Sequence, residues 1–163
     1  MSRLDSAIRR LEAQRACLNR AAGMIRNIEG PVLELGLGNG RTYDHLKGLM
    51  PDRRIVVFER KAMAHPDSMP PARDLIEGDF RTTLIDAGGK IGAPAALVHA
   101  DIGSGDRKAT AELAAWLGPV LASLMAPGAV IVSDQPLDVP GAEAFPLPEI
   151  VAEGRYNMCV LPG

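Results

Sequence analysis

The sequence predicts an α/β domain in which a doubly wound, mostly parallel sheet of about seven strands follows an N-terminal helix. Beyond Pro31, short apolar runs alternate with helical stretches, as in a parallel sheet with crossover helices. The main runs are aliphatic or β-branched, as expected of strands buried on both faces. The first run passes through three closely spaced glycines directly into a helix, which is typical of such sheets.

The N-terminal helix is predicted over residues 2 to 24. Apolar residues recur at helical spacing from Leu4 to Ile25, and arginines occupy the other faces. Ser2 is a suitable helix cap, and Gly23 lies near the expected end. The helix could cover one face of the sheet or pack on another subunit, and the sequence leaves both arrangements open.

The sheet is predicted from five buried runs and a weak final pair. The strands are expected at Val32 to Leu35, Ile55 to Glu59, Leu75 to Glu77, Ala96 to Asp101 and Ala129 to Ser133, with an antiparallel hairpin of Ala142 to Pro146 and Tyr156 to Leu161. The helices between them are expected at Thr42 to Met50, in a short proline-interrupted piece after Lys61, at Arg81 to Ala87 and at Arg107 to Met125, the last with a bend at Gly118 and Pro119.

Composition restricts the class of protein. With 163 residues the chain is about one domain long, so we expect a single domain over residues 1 to 163, of which 1 to 28 form the helical segment. A net charge of -2 argues against a surface that binds nucleic acid throughout, although six arginines before residue 27 make that segment basic. No apolar run reaches the roughly 20 residues of a membrane span. The first residues do not resemble a secretory signal, and Cys17 and Cys159 are too few for a disulfide framework, so we expect a cytoplasmic protein.

The strongest local signal is V-L-E-L-G-L-G-N-G-R-T, residues 32 to 42. Gly36, Gly38 and Gly40 permit positive φ and let a ligand approach bare backbone, and free amides at the following helix favour an anionic group. A nucleotide-type cofactor is the usual occupant, because the crevice of a doubly wound sheet opens at the carboxyl ends of its strands. The dinucleotide fingerprint needs a third glycine where Arg41 stands, which argues against a nicotinamide cofactor.

The stretch E-L-G-L-G-N-G resembles the first motif of class I S-adenosylmethionine-dependent methyltransferases, and the resemblance extends to about residue 134. It implies a Rossmann-like fold, S-adenosyl-L-methionine as the cofactor, and an acid on the ribose hydroxyls at Glu59, which closes the second strand. Asp79 would then accept from the adenine amino group while Phe80 packs on the ring. Glu34 and the glycine backbone would hold the methionine end. The cofactor-binding residues that the resemblance implies are Glu34, Gly36, Leu37, Gly38, Asn39, Gly40, Glu59, Arg60, Gly78, Asp79, Phe80 and Asp101.

Three residues are candidates for the catalytic step. Methyl transfer mainly requires that the acceptor be positioned and, where it is protonated, that its proton be removed. Asp101, at the end of the fourth strand, is the favoured base. His99 lies inside an apolar strand and could instead be a core histidine, and Tyr43, in the first turn of a helix, could be a surface aromatic.

The residues after the fourth strand do not read N-P-P-Y or D-P-P-Y, which disfavours adenine and glutamine amino groups as acceptors. The fifth strand ends V-S-D-Q, similar to the aspartate-asparagine pair of catechol-type O-methyltransferases, whose third metal-binding acid follows the fourth strand, where Asp101 stands. Asp101, Asp134 and Gln135 could therefore hold Mg²⁺. Polar strand ends need no metal, however, and we assign none.

We expect an enzyme that methylates a small-molecule oxygen or nitrogen acceptor, with neither a membrane nor a nucleic acid as partner. A nicotinamide-dependent oxidoreductase and a non-catalytic cofactor-binding module are the alternatives. The short chain lacks an acceptor-binding insertion, so a homo-oligomer, a dimer or tetramer, is expected to complete the pocket.

Overall fold

Seven strands form one sheet in the computed structural model, which describes residues 1 to 163. The strands are β1 (Val32–Leu35), β2 (Ile55–Glu59), β3 (Leu75–Glu77), β4 (Ala95–Ala100), β5 (Met125–Ser133), β6 (Glu143–Ala144) and β7 (Asn157–Val160). The helices are α1 (Arg3–Met24), α2 (Arg41–Leu49), α3 (Phe80–Thr83), α4 (Gly88–Ile91) and α5 (Arg107–Ala122), with 3-10 turns at Pro66–Ser68 and Ala72–Asp74. None of these helices has the length and apolar character needed to cross a membrane.

The strand order is β3-β2-β1-β4-β5-β7-β6, and the direction of winding reverses between β1 and β4. The first five strands are parallel, whereas β7 runs antiparallel to both β5 and β6. This architecture confirms the predicted doubly wound sheet with an antiparallel end. The reversal leaves a crevice at the carboxyl ends of β1 and β4, which is where such sheets bind ligands.

Two apolar cores sandwich the sheet, because side chains alternate between its faces along each strand. Leu33 and Leu35 of β1 point into one core, which α5 completes with Leu117. Val32 points into the other, which α1 completes with Leu18. The predicted N-terminal helix therefore covers a face of its own sheet, and Ser2 caps it through a reciprocal pair of hydrogen bonds with Asp5.

The structure corrects several predicted boundaries. β5 begins at Met125, four residues before the predicted start, because Ala95 of β4 pairs with Met125 across an irregularity that accommodates Pro127 and Gly128. The last long helix accordingly ends at Ala122 rather than Met125, with Pro119 inside it. The helix predicted at 81 to 87 is instead a single short turn of helix, α3, and a second short helix, α4, begins only after the predicted end. The proline-rich stretch after Lys61 forms only the two 3-10 turns, and the final hairpin strands are shorter than predicted.

Gly118 of α5 is required by close packing rather than by helix bending. A Cβ atom at this position would lie 2.0 Å from the backbone oxygen of Asp138. The loop that follows β5 therefore rests directly on the backbone of α5 and covers one end of the first core.

Candidate active site

A cavity of about 640 Å³ opens at the carboxyl ends of β1, β2 and β4. Its walls come from the glycine loop after β1, the turn between β3 and α3, the loop after β4, and one face of α1. Among the predicted residues it is lined by Gly36, Leu37, Gly38, Asn39, Glu59, Arg60, Gly78, Asp79, Phe80 and Asp101. The fold thus brings together predicted residues from four separate stretches of the sequence, 36–39, 59–60, 78–80 and 101.

The glycine loop presents bare backbone to the cavity. Gly36, Gly38 and Gly40 have φ angles of 91°, 53° and 84°, a region that other residues rarely adopt. A Cβ on Gly36 would lie 2.6 Å from the backbone oxygen of Asp101, so the loop packs closely against the end of β4. Gly38 has no atom within 4 Å of such a Cβ, so its missing side chain leaves open space. Gly40 caps α2 and packs against Ser68, outside the cavity wall.

Glu59 fixes this loop from the neighbouring strand. Its Oε2 accepts the amides of Leu37 and Gly38 at 2.7 and 3.1 Å. Its Oε1 accepts the amide of Arg60 at 2.7 Å and that of Lys61 at the longer distance of 3.4 Å. The loop amides that we expected to be free for an anionic ligand are therefore partly occupied. Oε1 keeps the weaker of these bonds and is the oxygen more open to a ligand hydroxyl.

Asp79 caps α3 and faces the same cavity. Its Oδ1 accepts the amide of Arg81 at 2.8 Å, and its Oδ2 lies 3.6 Å from the guanidinium of Arg60. The ring of Phe80 is the next cavity-lining side chain. An acceptor oxygen beside an aromatic ring suits a heteroaromatic ligand that carries an amino group.

Asp101 stands at the end of β4, about one third exposed. Gln14 of α1 donates to its Oδ2 at 3.2 Å, and Arg10 of α1 lies 3.9 Å from the same oxygen. Burial and the nearby carboxylate of Asp134 raise the pKa of Asp101, although His99, Arg10 and the Gln14 hydrogen bond oppose them. Asp101 is thus a partly desolvated carboxylate that holds a proton more readily than a surface aspartate does.

Four predicted residues do not line the cavity: Gly40, described above, and Glu34, His99 and Tyr43. Glu34 is fully buried and is bonded to the Thr42 hydroxyl and, at 2.8 Å, to Nδ1 of His99. His99 is fully buried as well, inside β4. Burial disfavours its charged form, but the carboxylates of Glu34, Asp101 and Asp134 together outweigh this and the net pKa of His99 is raised. These positions leave Glu34 and His99 beneath the wall of the cavity, not on it.

Tyr43 also lies away from the cavity. It belongs to the core between α1, α2 and the sheet, and burial together with the charge of Asp74 raises the pKa of its hydroxyl. The physical reason is helix geometry, since successive side chains of α2 are about 100° apart. Thr42 points at the cavity, and the next residue therefore points into the core.

Sequence reasoning missed Arg10, Gln14 and Tyr156. Gln14 shares its face of α1 with Cys17 and Leu18, so a polar residue on a buried helical stripe was the available signal. Tyr156 was assigned only to the weak final hairpin, but its side chain is 1% exposed and its hydroxyl bonds to Gln14 and His99.

The polar end of β5 has a structural role. The carboxylate of Asp134 accepts the amides of Ile102 and Gly103 at 3.0 and 2.8 Å, and Gln135 donates to it at 3.2 Å. These bonds fix the loop that follows β4. No group of three or more His, Cys, Asp or Glu side chains converges in the arrangement of a metal-binding site.

Comparison with known proteins identifies relatives. A family described as S-adenosyl-L-methionine methyltransferase matches residues 1–159. The chain is 43% identical to an S-adenosyl-L-methionine methyl transferase of known structure from Silicibacter pomeroyi DSS-3, with a TM-score of 0.92 over 98% of both chains. No sequence among the curated proteins matches.

More distant structures share the fold. The cofactor-bound protein Rv0187 from MTB is 19% identical with a TM-score of 0.59, over 96% of this chain and 89% of that one. The antibiotic-resistance methyltransferase Kmr is 13% identical with a TM-score of 0.54, over 86% and 90%. At these identities the likeness concerns the arrangement of strands and helices.

The substitution Glu59→Gln tests the hold of this carboxylate on the glycine loop. The glutamine side chain is uncharged, so its oxygen accepts more weakly than a carboxylate, and its NH₂ group is a donor that cannot accept from the backbone amides of Leu37 and Gly38. Hydrogen bonds to charged groups contribute about 1.5–3 kcal/mol. We expect amide hydrogen exchange at Leu37 and Gly38 to accelerate about 10- to 100-fold by NMR. Glu77→Gln is the matched control, because Glu77 ends β3 and accepts only from Ala62. Unchanged exchange in the first variant would contradict this role.

Proposed function

Because this chain belongs to the S-adenosyl-L-methionine methyltransferase family, we propose that its cleft carries the methyl donor against Asp101 and serves a small-molecule oxygen or nitrogen acceptor. The observation that supports this most strongly is that bare loop backbone, the Glu59 carboxylate and the Asp101 carboxylate line one cavity. A cavity of about 640 Å³ is in the range of small-ligand sites.

The residues of the cleft fit a nucleoside with an amino-acid tail. Gly38 leaves room for the tail against the backbone, and Oε1 of Glu59 would accept from the ribose. Oδ2 of Asp79, which has the Arg60 guanidinium 3.6 Å away but accepts no hydrogen bond within the protein, would accept from the adenine amino group, with Phe80 on the ring. Glu34 would contribute through Thr42, which lines the cavity, because Glu34 itself does not. When bound, S-adenosyl-L-methionine supplies an electrophilic methyl group on a sulfonium.

Asp101 would receive the proton of the acceptor. It lies between the glycine loop and α1, and its raised pKa, which follows from burial and Asp134, makes it a better base than an exposed aspartate. Arg10, Leu11 and Gln14 of α1 line the same cavity as the loop after β4, so an acceptor would lie between them. A cavity of about 640 Å³ favours a small molecule over a nucleic acid, and an aromatic content of 4% offers few stacking platforms.

The oxidoreductase alternative is disfavoured. Arg41 begins α2 at the position where a dinucleotide-binding loop needs glycine. A fluorescence titration with NADH should show no saturable binding. The non-catalytic alternative is addressed by the variants below.

We propose further that the protein is a homo-oligomer, a dimer or tetramer. The outer face of α1 leaves Leu4 69% and Ile8 45% exposed, and this stripe leads to Leu11 in the cavity wall. A second copy that packs there would cover the stripe and close the acceptor side. Light scattering at micromolar concentration should give at least twice the monomer mass of 17.3 kDa. A monomer would rule this out.

A cytoplasmic location is likewise proposed. Cys17 and Cys159 are free, as expected of a protein in a reducing compartment. Recovery of the protein from the periplasm after cell fractionation would contradict it.

Gly38→Ala should weaken binding of S-adenosylhomocysteine, measured by titration calorimetry, at least about 10-fold, or 1.4 kcal/mol. The added methyl group would project into the open space beside the loop, where the ligand tail is expected. Gly154→Ala is the matched control: Gly154 also has positive φ and no neighbour within 4 Å, but it lies outside the cavity. Equal affinity in the two variants would refute this placement.

Asp101→Asn should separate binding from chemistry. The amide is nearly isosteric but cannot take up a proton at neutral pH, so we expect transfer of a labelled methyl group to an acceptor panel to fall about 10²- to 10⁴-fold. Affinity for S-adenosylhomocysteine should remain close to that of the wild type. A parallel loss of both would favour a role for Asp101 in holding the fold or the donor.

A further inference from the structure

A chain of buried hydrogen bonds connects Glu34, beneath the cavity wall, to Asp101 inside the cavity. Nδ1 of His99 lies 2.8 Å from Oε2 of Glu34, and Nε2 of His99 lies 2.7 Å from the hydroxyl oxygen of Tyr156. Nε2 of Gln14 lies 3.0 Å from that same oxygen and 3.2 Å from Oδ2 of Asp101. Four side chains of this network are each at most 4% exposed, namely those of Glu34, His99, Tyr156 and Gln14. Their polar hydrogens therefore need acceptors within the network.

The amide of Gln14 fixes the direction in which the hydrogen bonds of this network donate. With Asp101 ionised, the amide nitrogen donates to the carboxylate and also to the oxygen of Tyr156. The hydroxyl of Tyr156 must then send its own hydrogen to its remaining neighbour, Nε2 of His99. His99 consequently carries a single hydrogen, on Nδ1, and donates it to Glu34. Every donor and acceptor is satisfied in this arrangement.

A second proton on His99 reverses the chain. Nε2 would then donate to Tyr156, whose hydrogen needs a new acceptor, and the side chain of Gln14 is the remaining neighbour. Gln14 can accept only by turning its carbonyl toward Tyr156. That carbonyl would also face Asp101, which must itself be protonated in order to donate to it. A charged His99 beside an ionised Asp101 would leave a buried hydroxyl hydrogen without a partner.

We propose that Gln14 and Tyr156 are positioning residues for Asp101, and that the hydrogen-bond chain excludes one combination of charges, a charged His99 beside an ionised Asp101. His99 then takes up its second proton only once Asp101 is protonated, and Asp101 can receive a proton only while His99 is neutral. The inference rests on the proposed function only where it takes the proton that Asp101 receives to come from the methyl acceptor. The coupling between the protonation of His99 and that of Asp101 depends on residues of this protein alone.

Charge attraction alone, without the hydrogen bonds of Tyr156 and Gln14, would favour a different combination of charges on His99 and Asp101. Glu34 of β1 faces His99, Asp134 at the end of β5 acts on both His99 and Asp101, and Arg10 of α1 approaches Asp101. Opposite charges attract, so these groups alone would favour charged His99 together with ionised Asp101. Burial raises the pKa of Asp101. For His99, burial lowers the pKa, but the carboxylates of Glu34, Asp101 and Asp134 together outweigh it, so both groups hold protons above their ordinary ranges.

The experiment is a pH titration by NMR of the protein without ligand. It follows the carboxyl carbon of Asp101 and the ring nitrogens of His99. In the wild type we expect the midpoint of His99 to lie at or below that of Asp101 and, wherever Asp101 is ionised, a neutral imidazole with its hydrogen on Nδ1. Gln14→Met keeps the length of the side chain and removes the amide, so this order should be lost and the midpoint of His99 should lie above that of Asp101, as charge attraction alone favours. Arg9→Met, on the exposed side of the same helix, should leave the wild-type order unchanged.

Two results would overturn the proposal. One is a charged His99 in the wild type at a pH where Asp101 is ionised, and this result needs no variant to fold. The other is a midpoint of His99 that stays at or below that of Asp101 in Gln14→Met. Because no methyl donor is present, either result would leave the methyltransferase proposal intact, and failure to bind S-adenosylhomocysteine would leave the titration interpretable.

Discussion

The carboxylate of Glu59, bonded to the amides of Leu37 and Gly38, is the interaction on which the site depends. It ties the end of β2 to the loop after β1 and so holds the cavity open beside bare backbone. The loop therefore contributes shape more than free donors. The other oxygen of Glu59, the carboxylate of Asp79 and side chains of α1 belong to residues that line the same cavity. One carboxylate, that of Glu59, thus fixes the loop and also lines the cleft.

The second constraint is the polar chain through the core. It joins α1 and the last strand pair to the middle of the sheet, so elements from both ends of the sequence support Asp101. A buried polar network that is fully satisfied specifies one arrangement of its members, whereas a partly satisfied one is costly. The N-terminal helix is thus part of the site as well as a cover for the sheet.

Much of the fold could be predicted from the sequence. The first three strands have the predicted bounds, because uniformly apolar runs between turn residues are unambiguous. The predicted start of β5 is too late, because Pro127 and Gly128 are unusual inside a strand. The pairing of Met125 with Ala95 of β4 becomes visible only in the folded sheet. The glycine loop, Glu59 and Asp79 could be read from local motifs. Gln14 and Tyr156 are 142 positions apart, and no spacing rule relates them. The sequence identifies Glu34 and His99 as candidate site residues. It does not show that both are buried, with Thr42 and Tyr156 as hydrogen-bond partners.

The most direct test of the central claim is a crystal structure of the protein with S-adenosylhomocysteine. We expect the ribose at Glu59, the amino-acid tail along residues 36 to 39, and the adenine beside Asp79 and Phe80, with Leu37 and Gly38 still bonded to Glu59. Ligand density outside this cleft, or a loop that releases Glu59 and closes the cavity with its own side chains, would contradict the account.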